Sequence, residues 1–162
     1  MNIGGYGLRG HVKLLGPLFG LIAAVWLLRW VLEAVGGPHR LVGLFSVTVV
    51  TSLSILVGVG MMHARRFGSY LNVAAVSFLL VSWEQLLIVA AIVFAIVSGI
   101  DNVYTAPEYS IVGEDPYHKW HILGHLTFGI GAGTLFGSAA GCLLLWLLRM
   151  LVPPRPSQDS RS

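Results

Sequence analysis

Apolar residues along this chain gather into four long runs, at about residues 14–34, 41–62, 71–100 and 122–152, separated by short polar breaks. A helix needs about 20 mostly apolar residues to cross a bilayer, and each run is long enough. A helix also satisfies its own backbone hydrogen bonds in hydrocarbon. The pattern therefore predicts an all-α fold, an integral membrane four-helix bundle. Residues 1–152 would form a single transmembrane domain, followed by a polar tail at 153–162 that is expected to be disordered. Ala34 and Gly36 have a weak cleavage-like spacing, but Arg29, Trp30 and Glu33 interrupt the plain apolar core of a signal peptide. The first run is thus expected to stay in place as a span.

The breaks are turn-like. Gly36, Gly37 and Pro38 mark one, and His63, Arg65 and Arg66 another. The sizeable loop is Asp101 to Pro116. Its end, Asp115-Pro116, has the chemistry of a helix start, with Asp as cap and Pro in the first helical position. That predicts a fourth helix from Tyr117, with Tyr117 and Trp120 in an interfacial aromatic belt.

Within the fourth run a ladder recurs every fourth residue: Tyr117, His121, His125, Gly129, Gly133, Gly137 and Gly141. Residues four apart share one inclined ridge of a helix. Gly129, Gly133, Gly137 and Gly141 therefore leave a groove without side chains. In lipid, such a groove serves close helix packing. Its partner could be a second copy, another membrane protein, or one of the chain's own spans.

His118, His121 and His125 follow the helical spacings of three and four, within an arc of about 60°. Imidazole is a common ligand for metals and haem iron, so a metal ion or haem is one reading of this face. Glu114, Asp115 and His39 could contribute further donors. The alternative is interfacial anchoring of the helix end. Centring the fourth span on Gly137 puts His125 about 18 Å and His121 about 24 Å outward. The hydrocarbon half-thickness is about 15 Å, so these histidines are expected at or beyond the outer interface.

Glu84 and Gln85 fall near the middle of the third run. An ionisable residue at that depth is a functional candidate by default. One reading is proton or cation handling, with the carboxyl multiplied around an oligomer axis. Another is hydrogen bonding to Thr51, Ser52, Thr134 or Ser138, and a third is a buried pair with Arg29. The spacing of Arg29 and Glu33 also predicts an interfacial ion pair, with Arg29 reaching outward. By the depth count, Glu84 and the histidines are separate features.

Composition agrees with the pattern. The chain is 56% hydrophobic and 10% charged, against about 25% charged for soluble domains. Its net charge of +3 does not point to nucleic acid, because the basic residues follow topology. Arg9, Lys13, Arg65, Arg66, Arg149, Arg155 and Arg161 all fall on one side of the four spans. The positive-inside rule then puts both termini in the cytoplasm of a bacterial-type inner membrane. Cys142 stands alone and reads as a packing residue.

No Ser/His/Asp set, phosphate loop or CxxC pair appears, so the reading leans away from an enzyme. The expected role is a small multi-pass accessory or assembly subunit. It would pack through the glycine groove, with lipid and a homo-oligomer or membrane-protein partner around it. The alternatives are a metal- or haem-binding redox protein and an oligomeric proton or cation pathway centred on Glu84.

Overall fold

The computed structural model describes residues 2–3, 6–38, 42, 44–65, 69–105 and 118–151. Among these, four helices are long and apolar enough to cross a membrane: α1 (Leu8–Ala34), α2 (Val47–Ala64), α3 (Tyr70–Ser98) and α4 (Lys119–Leu151). A two-residue antiparallel pair, β1 (Asn2–Ile3) with β2 (Tyr6–Gly7), precedes α1.

The helix ends differ from the apolar ends. α1 begins at Leu8 and runs through Arg9, Gly10 and His11 before its apolar stretch, because helix geometry does not stop where hydrophobicity does. α2 begins only at Val47, where the extended Ser46 caps it by accepting from the Val49 N–H at 3.4 Å. α3 stops at Gly99, whose φ of 69° is the left-handed conformation that ends helices and that glycine adopts without strain. α4 starts at Lys119, with His118 itself left-handed at φ 49°. The expected Asp115-Pro116 start and Tyr117 lie outside the described residues.

Toward the start of α1, hereafter the inner end of the bundle, the interior is mostly apolar, with Leu15, Val59, Met62, Val73 and Val76 fully buried around the buried polar pair His11 and Asn72. Large apolar side chains such as Leu53, Phe78, Phe94, Phe136 and Leu143 are exposed on the outside of the bundle. Such a surface suits a lipid solvent rather than water.

The glycine ladder packs against the chain's own spans. A Cβ added at Gly133 would meet Val81 Cγ1 at 2.7 Å, and one at Gly141 would meet Val73 Cγ1 at 2.7 Å. At Gly137 it would meet Ile55 Cδ1 at 2.6 Å and Ser77 at 3.4 Å, and at Gly129 it would overlap the Gln85 side chain. Gln85, Val81, Ser77 and Val73 also step by four, so a ridge of α3 fills the groove of α4.

This pairing sets the relative height of the two helices. Running antiparallel, Gln85 is level with Gly129 and Val73 with Gly141. Glu84 is then level with about Ile130, and His125 stands only about 7.5 Å farther out. The separation expected from the hydrophobic midpoint of the fourth run was about 18 Å. That midpoint misleads because α4 overshoots α3 at the inner end, where the Arg149 guanidinium lies 5.0 Å from the centre of the Tyr70 ring.

Candidate functional site

Glu84 and Gln85 are both buried on α3, at 2% and 7% exposure, and each makes a hydrogen bond to another helix. The Thr48 hydroxyl of α2 donates to Glu84 Oε1 at 2.7 Å. The Thr51 side chain stands beside the same carboxyl. Gln85 Oε1 lies 2.6 Å from His125 Nδ1 of α4. Thr48 was not among the partners expected for Glu84. Ser52, which was, instead bonds back to the Thr48 carbonyl at 2.9 Å, the usual local use of a hydroxyl in a helix.

His125 sits at the start of a π-helical turn, His125–Gly129, within α4. Such turns widen the helix locally and concentrate at functional sites. This one lies where the ladder changes from histidine to glycine, so the imidazole meets Gln85 immediately above the groove. With Nδ1–H donated to the Gln85 carbonyl, the neutral ring keeps Nε2 as its acceptor.

Outward of this junction is a cavity of about 300 Å³, lined by Arg29, Ser46, Thr48, Tyr104, His121 and His125 among others. On its other side is a second cavity of about 470 Å³, whose wall includes Thr48, Thr51, Glu84, Gln85 and the backbones of Gly129, Gly133 and Gly137. Thr48 belongs to both walls. The Thr48–Glu84 and Gln85–His125 bonds thus form the partition between the two spaces.

The roof of the outer cavity is the turn after α3. Asn102, buried at 6% exposure, ties that turn down. Its amide donates to the Ala91 carbonyl at 2.9 Å, and its Oδ1 accepts from the Tyr104 N–H at 3.0 Å. Thr105 and Asn102 bond each other three times more. Glu33 of α1 accepts from the Val103 N–H at 2.5 Å. The Arg29 guanidinium lies 5.3 Å from the centre of the buried Tyr104 ring, a cation–π position. Burial, opposed in part by the Arg29 charge, pushes the Tyr104 hydroxyl above its ordinary pKa and keeps the phenol neutral.

The histidines come only partly together. The His121 and His125 rings stack at 4.9 Å, whereas His118 stands 6.2 Å from His121. Among the described residues, no group of three His, Cys, Asp or Glu side chains converges as a metal site would require. His39, Glu114 and Asp115 lie outside the described residues. His125 meets Gln85, which the depth count from the hydrophobic midpoint does not foresee. The sequence signal for it was the ladder itself, which placed a histidine one helical turn from Gly129.

No family model, curated protein or solved structure matches this chain.

Proposed function

We propose that the protein is a small multi-pass protein of a bacterial-type inner membrane, with both termini cytoplasmic, that handles protons at Glu84. The carrying observation is the position of the Glu84 carboxyl. It is buried in the bundle, bonded to a hydroxyl shared by two cavities, and separated by one residue-pair from an imidazole. Thr48 suits a relay, because a hydroxyl donates and accepts at once. Gln85 is a positioning residue: its amide holds His125 and carries no exchangeable acid proton of its own.

Inward of Glu84 and the Thr51 beside it, the buried Ser54 and Ser77 hydroxyls make no hydrogen bond to any described residue. Groups of this kind take ordered water. Farther inward, the buried His11 and Asn72 side chains pair at 2.9 Å. These groups continue the polar line toward the inner end through otherwise apolar packing. The glycine groove packs against α3, one of the partners expected for it, so the proton reading is argued from Glu84 rather than from the groove.

In liposomes with an imposed membrane potential and an internal pH dye, the wild-type protein is expected to carry protons faster than protein-free vesicles. Glu84→Gln keeps the size and the Thr48 partner but removes the acid, and should fall to the vesicle leak. Equal flux in the two proteins removes the proposal.

Orientation is tested separately. Green fluorescent protein fused after residue 162 should fluoresce, and alkaline phosphatase fused there should be inactive. The reverse pair of results would place the C-terminus outside.

A further inference from the structure

We propose that the cavity beneath Glu84 binds the head of a neutral, lipid-soluble ring compound bearing a carbonyl or hydroxyl, the chemistry of an isoprenoid quinone or quinol. The inference shares Glu84 with the proton reading but rests on the cavity. Its volume of about 470 Å³ falls within the range of small-molecule sites, about 300–1,000 Å³.

The wall has two chemically distinct parts. Val81, Ile55, Leu56 and Phe136 are apolar, and Gly129, Gly133 and Gly137 complete the wall with backbone alone beside the side chains that fill the groove. Thr48, Thr51, Glu84 and Gln85 supply donors and acceptors on the same wall. The Thr51 hydroxyl is the pointer to a ligand. The residue is 2% exposed, and its Oγ1 stands beside the Glu84 carboxyl, which already accepts from Thr48, without closing a short bond of its own. A buried hydroxyl held that way has bonding capacity that a bound carbonyl or hydroxyl takes up.

The mouth decides the route of entry. Ser52, Phe136 and Ala140 line the cavity and are also exposed on the flank of the bundle. They sit at helix positions near the middle of α2 and α4, so the opening faces laterally, toward hydrocarbon in a membrane. A ligand arriving that way is uncharged and lipid-soluble. Among the described lining residues there is no Lys, Arg or His, and Glu84 is the one carboxyl, so nothing selects an anionic head. The polar end excludes a plain hydrocarbon as the preferred occupant.

The test uses the full chain in nanodiscs, titrated calorimetrically with decylubiquinone, decanol and decane. Decylubiquinone is expected to bind saturably at one site per chain. Ala140→Trp, on the exposed rim, should abolish that binding while leaving the unfolding temperature unchanged. Thr51→Val removes one hydrogen bond at nearly constant shape and should weaken binding about tenfold.

Decanol binding as tightly as decylubiquinone would overturn the ring assignment. Decane competing equally would show an acyl-chain slot and overturn the inference altogether. A protein that conducts protons but does not bind decylubiquinone overturns this inference alone. One that binds it without conducting overturns only the proton reading.

Discussion

Gly133→Leu is expected to destroy the folded bundle, whereas Gly131→Leu, two residues away on the same helix, should leave it intact. At Gly131 nothing lies within 4 Å of an added Cβ, while at Gly133 the first new carbon already sits 2.7 Å from Val81 Cγ1. Val81 cannot turn aside easily, because a β-branched side chain in a helix has one strongly preferred rotamer. Three further carbons must then enter the α3–α4 contact, beyond the about 1–3 kcal/mol of ordinary overpacking.

The smaller change Gly133→Ala should be partly rescued by Val81→Ala, which removes the obstructing methyl groups. Gly137→Ala should be milder than Gly133→Ala, since the nearest atom there is the flexible tip of Ile55. Thermal unfolding in mild detergent, followed by tryptophan fluorescence and size-exclusion profile, ranks these variants. Indistinguishable unfolding of Gly131→Leu and Gly133→Leu would show that the groove is not the α3–α4 contact.

The second large effect is expected at Asn102. Asn102→Ala strands the Tyr104 N–H and takes a second donor from the Ala91 carbonyl, which keeps its helical bond within α3. An unsatisfied buried group costs about 1–3 kcal/mol, and the loss should fall in that range. Asn102→Asp is expected to be no better. It keeps an acceptor for Tyr104 but replaces the donor to Ala91 with an oxygen facing an oxygen.

Both changes should also loosen the roof made by Val103 and Tyr104 over the outer cavity. The measurement is unfolding temperature together with protease sensitivity of the segment after Ser98. Wild-type stability in both variants would mean that the turn does not hold the roof. A change at Glu33 is a useful companion, because its carboxylate holds Val103 from the other side.

These expectations rest unevenly on sequence and structure. The glycine ladder was legible as a packing surface, and Glu84 and Gln85 were legible as mid-span polar residues, since both follow from spacing along one helix. Which residues they meet was not legible. Thr51 and Ser52 of α2 and Thr134 and Ser138 of α4 were the candidates for Glu84, and the rotation of α2 about its axis brings up Thr48 instead, with Thr51 beside it. Asn102 gave no sequence signal as a clamp, because its partners Ala91 and Tyr104 are joined only when α3 ends at Gly99 and the chain turns back.

Sequence by itself determined the four apolar helices, because the length and hydropathy of a run are local properties that a bilayer-spanning helix must have. It also determined that α4 carries a bare ridge and that histidine precedes glycine on that ridge. Only the tertiary structure decided that α3 fills the ridge and that His125 meets Gln85. The reason is register. Helices align by the interlocking of their side chains, here Gln85, Val81, Ser77 and Val73 against four glycines. They do not align by the midpoints of their hydrophobic runs. Ridge packing moves α4 along α3 by about two helical turns from the midpoint alignment, and so brings the histidine and the carboxyl to one junction.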